Sequence, residues 1–119
     1  MQNLLKETKA VLKEHGKSFN DVVWIGCEEY KIPVASFISL ANQEYEDGYG
    51  APQVATNLVV VGNGFWLERE EYDGSEWWEY KEPIPMPIET RSVKSLFASA
   101  DQIGWVTLQE VNGESWPWQ

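Results

Sequence analysis

Two turn signals lie ten residues apart in the middle of the chain and constrain its fold more than any other feature. Asn63-Gly64 and Asp73-Gly74 are dipeptides typical of two-residue hairpin loops, and runs of β-branched and aromatic residues flank both. Both turns are expected to be type I′, which needs positive φ at both central residues. The pattern predicts a three-stranded antiparallel meander with strands at 57–62, 65–72 and 75–82.

Two-residue turns fix the register of the meander and therefore divide its side chains between two faces. The first face is mostly apolar and is predicted to be a core face: Leu58, Val60, Phe65, Leu67, Arg69, Trp78 and Tyr80. Arg69 is expected to lie opposite Trp78, over its indole ring. The second face mixes large apolar and aromatic side chains with charged ones: Val59, Val61, Trp66, Tyr72 and Trp77 alternate with Glu68, Glu70, Glu79 and Lys81.

Hydrophobic periodicity and helix boundary signals predict the elements around the meander. An amphipathic helix is expected over 3–15 and ends at Gly16, a strand is expected over 22–25, and a second helix begins at Pro33 and runs to about residue 42. The predicted class is α+β, with an antiparallel sheet built on the meander (57–82) and packed by an N-terminal helix and a second short helix. We expect one domain, 1–119.

Weaker patterns cover the rest of the chain. They predict a loop over 43–51, a helical turn at 52–56, strands at 90–98 and 105–111, and a helical turn at 99–102 where Ser99 and Gln102 have capping-box spacing. Pro83, Pro85 and Pro87 exclude a central strand, so that segment is expected to be an extended edge or connector.

The chain is strongly acidic, with 19 acidic and nine basic side chains and a net charge of −10. Such an excess favours encounter with basic partners and argues against direct binding to nucleic acid or to anionic membranes. Residues 67–82 hold seven acids and two bases, whereas residues 1–17 hold two acids and four lysines. Much of the negative charge is therefore concentrated on the second hairpin of the meander, and the first helix does not share it.

Residues for the common catalytic and metal sites are few. One histidine, His15, and one cysteine, Cys27, give no multi-histidine metal site, no intrachain disulfide and no catalytic triad. Cys27 is expected to be a buried small hydrophobe. Carboxylate pairs such as Glu68 and Glu79 are common on surfaces, and nothing marks either as a catalytic acid. We expect no enzyme activity, no cofactor and no metal.

The sequence also bears on location. The first residues lack the apolar core of a signal peptide, and no stretch approaches membrane-spanning length. The expected compartment is the cytoplasm, with no membrane partner.

Seven tryptophans in 119 residues have two interpretations. Trp24, Trp78 and Trp105 are expected in the core. Exposed aromatic side chains are preferred interface anchors, and the candidates for exposure are Trp66, Tyr72, Trp77, Trp116 and Trp118. The alternative is that a helix or the tail folds over them.

Three segments of the chain resemble those of a known protein family. They are SFNDVVWIG (18–26), FISLANQEYEDGYG (37–50) and LVVVGNGFWLEREEYDGSEWWEYKE (58–82). They resemble a family of small acidic proteins encoded by phages, prophages and mobile elements of low-GC Gram-positive bacteria, with a tryptophan-rich W-LER-EYDGSEWWE hairpin. This chain departs from the family pattern at Phe65 and Glu71. The family has no established chemistry, so the resemblance implies a context only, in which small acidic proteins often inhibit host defence, as anti-CRISPR proteins do.

Two functional hypotheses follow. The first is a non-enzymatic accessory protein that binds a basic surface of a host protein, as an inhibitor or a nucleic-acid mimic. Its candidate partner surface consists of eight residues: Trp66, Glu68, Glu70, Tyr72, Asp73, Glu76, Trp77 and Glu79. A second group lies in the preceding loop: Tyr45, Glu46, Asp47 and Tyr49. The sequence specifies no oligomeric state.

The second hypothesis is a small-ligand-binding domain with an aromatic groove. The side chains expected to wall this groove are Tyr45, Tyr49, Trp66 and Trp77.

Overall fold

A computed structural model of the protein describes residues 1–48 and 50–113. The chain divides into two compact units, Met1–Ile84 and Pro85–Gln119, and each is described by itself. The expectation of a single domain stays a prediction. Tyr49, Trp116 and Trp118 lie outside the described residues.

The first unit contains two α-helices and seven β-strands. In chain order these are β1 (Gln2–Asn3), α1 (Leu4–Glu14), β2 (Val22–Gly26), β3 (Lys31–Ile32), α2 (Val34–Ala41), β4 (Glu44–Tyr45), β5 (Val59–Gly62), β6 (Phe65–Tyr72) and β7 (Ser75–Lys81). A 3₁₀ turn, Phe19–Asp21, precedes β2. Both predicted helices and the predicted meander are present, so the α+β class is confirmed.

The main sheet has five antiparallel strands in the order β3-β2-β5-β6-β7, and β1 pairs with β4 in a separate two-stranded sheet. The predicted register of the meander is confirmed: Val60 faces Leu67, Arg69 faces Trp78 and Tyr72 faces Ser75. Strand β2 adds to β5 with Trp24 opposite Val61, after an irregularity in the ladder between Val22 and Trp24.

The two hairpin turns differ in backbone conformation. Asp73 and Gly74 both have positive φ, 49° and 88°, as a type I′ turn requires. At the first turn only Gly64 has positive φ, 84°, so the type I′ prediction for Asn63-Gly64 is wrong. In that turn only the glycine adopts a left-handed backbone conformation.

Helices α1 and α2 pack on one side of the sheet, which we call the inner face. The sheet residues on this face are Ile25, Leu58, Val60, Phe65, Leu67, Arg69, Glu76, Trp78 and Tyr80. Leu12 of α1 and Phe37 and Ala41 of α2 form a single buried cluster with Ile25, Val60, Phe65, Leu67 and Trp78. Asn3 caps α1 by accepting the N–H of Lys6, and Pro33 precedes α2. Burial of this shared apolar surface is the main stabilising contribution.

Three expectations for the first unit are wrong. The segment 52–56 does not form a helical turn, and the backbone N–H groups of Gln53 and Val54 donate to the carboxylate of Glu76. The predicted loop 43–51 contains the short strand β4. Cys27 is half-buried and so is not the fully buried hydrophobe that the sequence suggested.

The second unit has one short helix, α3 (Leu108–Val111), within its described residues. The strands expected at 90–98 and 105–111 are absent from the described chain. Asn112 Oδ1 accepts the N–H groups of Lys94 and Ser95, and Thr107 and Glu110 form a capping box at the start of α3. Such side-chain bonds to the backbone compete with a strand ladder. Trp105, expected in the core, is fully exposed.

Two shorter segments follow their predictions more closely. The segment through Pro83, Pro85 and Pro87 has no strand or helix. A turn lies at 99–102, where the side chain of Gln102 accepts the N–H of Ser99 at 2.8 Å. None of the helices in the described ranges is long and apolar enough to cross a membrane.

Candidate functional site

The side of the main sheet opposite α1 and α2 carries the mixture of aromatic and charged side chains. We call it the outer face, and its residues are Trp24, Val59, Val61, Trp66, Glu68, Glu70, Tyr72, Trp77, Glu79 and Lys81. Strand alternation places them together, because directly opposite residues in a ladder share a face. Neither α1 nor α2 packs on this face. Trp77 and Tyr72 are 37% and 77% exposed, near the turn of the hairpin.

Each hairpin tryptophan on the outer face is bonded to a carboxylate on its own strand. The indole N–H of Trp66 donates to Glu68 Oε1 at 2.9 Å, and that of Trp77 donates to Glu79 Oε2 at 2.9 Å. In both cases the acceptor lies two residues further along, on the same face. The polar edge of each indole is thereby satisfied inside the protein.

Glu68 and Glu79 face each other across β6 and β7, an arrangement in which two negative charges repel. The bond from Trp66 and the nearby Lys81 ammonium lower the pKa of Glu68 below its ordinary value. Lys81 Nζ lies 3.3 Å from Glu68 and 3.7 Å from Glu70, and its own pKa is raised by the bond to Glu68. Glu79 forms no ion pair within residues 1–48 and 50–113. Lys81 therefore compensates Glu68 and Glu70 directly, whereas Glu79, whose charge also contributes to the raised pKa of Lys81, lies outside ion-pair distance.

The eight residues proposed for the partner surface do not all lie on one face. The structure brings six of them together on the outer face, Trp66, Glu68, Glu70, Tyr72, Trp77 and Glu79, and places Asp73 in the exposed turn beside them. The prediction that Glu76 belongs to this surface is wrong. It lies on the inner face and is 6% exposed, because it is paired with Arg69 and bound by the 53–54 backbone.

Arg69 is the centre of a buried polar network on the inner face. Its side chain is 3% exposed, and its guanidinium bonds to Glu7 at 3.1 Å and to Glu76 at 3.0 Å. It also donates to the hydroxyl of Tyr45, which in turn donates to Glu7. The guanidinium carbon lies 4.7 Å from the Trp78 ring centroid, so the predicted stacking on Trp78 is confirmed.

The ionisation of the network follows from these contacts. Burial opposes the charge of Arg69, but the bond to Tyr45 and the charge of Glu7 outweigh it and raise the pKa of the guanidinium. Burial, reinforced by the bond to Glu7, raises the pKa of the Tyr45 hydroxyl. The network therefore holds a charged arginine and a protonated tyrosine at neutral pH, and it joins α1, β4, the 53–54 segment and the sheet.

The structure separates the side chains that were expected to wall an aromatic groove, and the loop group that shares Tyr45 with it is dispersed too. Tyr45 is buried in the Arg69 network, whereas Trp66 and Trp77 lie on the other side of the sheet, so these three side chains do not wall one groove. Glu46 is exposed, and Asp47 is half-buried with its backbone oxygen accepting the N–H of Glu76 at 3.1 Å.

A different concave site was not predicted. An open, mostly apolar cavity of about 290 Å³ lies between α2 and the segment 53–58, with Tyr45 in its wall. Its apolar lining includes Leu4, Phe37, Leu40, Val54, Ala55 and Leu58. The sequence carries one signal for it, the almost wholly apolar α2, whose Leu40 is 73% exposed beside the opening.

Sequence reasoning also missed Trp24. It was expected in the core but is half-buried on the outer face, because β2 pairs with β5 and places Trp24 beside Val61. No group of three or more histidine, cysteine or acidic side chains within the described ranges is arranged to hold a metal ion.

Comparisons with known proteins add no assignment. Family models give no match to the chain. Curated proteins and solved structures give none either. The resemblance to phage and mobile-element proteins therefore stays a prediction.

Proposed function

We propose that this chain is a non-enzymatic accessory protein of a phage or mobile element that binds a basic surface of a host protein through the outer face. One observation carries the proposal: two indoles, Trp66 and Trp77, are each fixed by a neighbouring carboxylate on a sheet face that α1 and α2 do not cover. Aromatic anchors surrounded by charge are typical of interfaces between proteins.

The charge of the outer face supports a basic partner. Three glutamates on this face, Glu68, Glu70 and Glu79, meet a single lysine of the same hairpin, Lys81, and the adjoining turn adds Asp73. Carboxylates at this density steer a basic partner and repel an acidic one. A surface of this kind suits occupation of a groove that otherwise binds nucleic acid, in which case the protein acts as an inhibitor or a nucleic-acid mimic.

A capture experiment tests the proposal. The wild-type protein, the outer-face variant Glu68→Lys/Glu70→Lys and the control Glu14→Lys/Glu44→Lys are immobilised in parallel and exposed to lysate of a Gram-positive host. Glu14 and Glu44 are exposed and belong to α1 and β4, so the control changes net charge equally away from the outer face. We expect a host protein that wild type and control retain and the outer-face variant loses.

Retention of the same host proteins by all three forms would contradict this proposal. Equal loss in both variants would also contradict it, because it would show dependence on net charge alone. Circular dichroism of each variant verifies that the fold is intact.

A second candidate function rests on the cavity beside α2. Its volume and its apolar walls suit a small, largely apolar molecule, and the hydroxyl of Tyr45 is already bonded to Glu7 and Arg69. On this reading the protein is a small-ligand-binding domain with its site on the helix side of the sheet.

The neutral fluorescent probe N-phenyl-1-naphthylamine tests the second candidate. Ala55→Trp fills the opening, whereas Ala51→Trp adds the same side chain at an exposed position that does not line the cavity. We expect wild type and Ala51→Trp to enhance the probe's emission and Ala55→Trp to lose the effect. No enhancement in wild type, or equal enhancement in both variants, would exclude this site.

A further inference from the structure

We propose that the outer face selects arginine over lysine side chains on its partner, with one guanidinium placed against Trp77 and Glu79. This inference rests on the proposed function and specifies the chemistry that the partner must present. The indole N–H of Trp77 donates to Glu79 at 2.9 Å. Because that bond occupies the polar edge of the indole, the ring face is the part of Trp77 that a partner contacts.

The other half of the outer face shows how a cation completes such a pair. Lys81 lies directly opposite Trp66 in the ladder, and its ammonium is 3.3 Å from the carboxylate that accepts the Trp66 indole N–H. Indole, carboxylate and cation are thus assembled within the protein on the β6 side. The matching pair on β7, Trp77 and Glu79, has no ion pair of its own among the described residues, although the charge of Glu79 contributes to the raised pKa of Lys81.

Trp77 is also the more accessible of the two indoles. It is 37% exposed and lies on the edge strand of the sheet, with the exposed Tyr72 on the same face near the turn. A cation that approaches from the partner therefore reaches, at one place, an aromatic ring face and a carboxylate that forms no direct ion pair within the described residues. The negative charge of Glu79 and a positive charge of the partner are therefore complementary at this position of the sheet.

The geometry favours a guanidinium over an ammonium. A guanidinium is planar, is weakly hydrated, and can lie flat on an indole face while its N–H groups donate in its plane to a carboxylate. An ammonium is a compact and strongly hydrated charge, which gains less from the ring face. The Trp77–Glu79 pair offers both contacts together, whereas a carboxylate alone discriminates little between the two cations.

Two synthetic peptides test this inference on the whole protein: one with four Gly-Arg repeats and one with four Gly-Lys repeats. Tryptophan fluorescence and the indole N–H signals in NMR spectra report binding. We expect the arginine peptide to bind about threefold or more tightly than the lysine peptide and to shift the Trp77 signal. Glu79→Gln and Trp77→Leu should each remove the preference, and the control Glu14→Gln should retain it.

Equal affinity for the two peptides, no binding of either, or a preference that survives both Glu79→Gln and Trp77→Leu would overturn the inference. These results are distinguishable from failure of the proposed function. If capture of the host protein still depends on Glu68 and Glu70 while the peptides bind equally, the partner surface stands and only its arginine selectivity is wrong. If capture is indifferent to those glutamates, the proposed function itself fails.

Discussion

The carboxylate of Glu7 accepts the backbone N–H of Trp78 at 3.1 Å, although the two residues are 71 positions apart. Strand β7 is an edge of the main sheet, and this N–H is one that the ladder with β6 leaves free. The N–H of Glu76 is a second free donor of this edge, and it donates to the backbone oxygen of Asp47. Exposed edges recruit foreign strands, and these two bonds oppose such pairing. A partner therefore meets β7 more readily through its outer face than through its edge.

The buried ion network predicts a large difference between two arginines. Arg69→Met leaves Glu7 and Glu76 buried without their cation and should lower the free energy of unfolding by about 3–5 kcal/mol. Arg91→Met removes an exposed arginine and should change it by less than about 1 kcal/mol. Urea denaturation measures both values. Similar losses in the two variants would show that the network contributes no more than a surface pair.

The contact between Trp78 and Thr8 predicts a hydroxyl-specific effect. The Trp78 indole N–H donates to Thr8 Oγ1 at 2.8 Å, and Thr8 is fully buried. Thr8→Val keeps the shape but leaves that N–H without an acceptor, which should cost about 1–3 kcal/mol of stability. Thr8→Ser, which keeps the hydroxyl, should lose less. Thermal denaturation of the two variants measures both losses of stability. A larger loss in Thr8→Ser than in Thr8→Val would indicate that packing of the side chain contributes more than its hydroxyl.

Tyr45 predicts a stability difference that depends on alkaline pH. Its pKa is raised in the folded state by burial and by the bond to Glu7, so the folded protein holds this proton more tightly than the unfolded chain does. The contribution is fully present below the unfolded value, about 10, and is lost as pH rises toward the folded value. Wild type should therefore exceed Tyr45→Phe in stability at neutral pH, and the difference should shrink above about pH 10. A difference that stays constant with pH would contradict the assignment.

The meander could be predicted because its information is local. Two glycine turns fix the register, and the register sorts the side chains of 65–72 and 75–81 between two faces. The pairing of β2 with β5 is not encoded by any turn, since more than thirty residues separate the two strands. For that reason the position of Trp24 on the outer face could not be derived from the sequence.

Glu76 shows a different kind of error. The same alternation that assigns Trp78 to the inner face assigns Glu76 to it as well, but a carboxylate is expected at the surface. Its burial depends on partners that the sequence does not bring together, namely Arg69 and the N–H groups of the 53–54 segment. The capping box of α3 was a readable signal, since Thr107 and Glu110 have the required spacing.

Binding of a basic host surface by the outer face can be tested by measuring the affinity for the captured host protein at several salt concentrations. Calorimetry with wild type should show an affinity that falls steeply as salt rises, because steering and attraction between the charged surfaces are screened. Glu68→Lys/Glu70→Lys should weaken binding by about tenfold or more at low salt, and Glu14→Lys/Glu44→Lys should weaken it far less. An affinity that is indifferent to salt and equal in both variants would show that the outer face is not the binding surface.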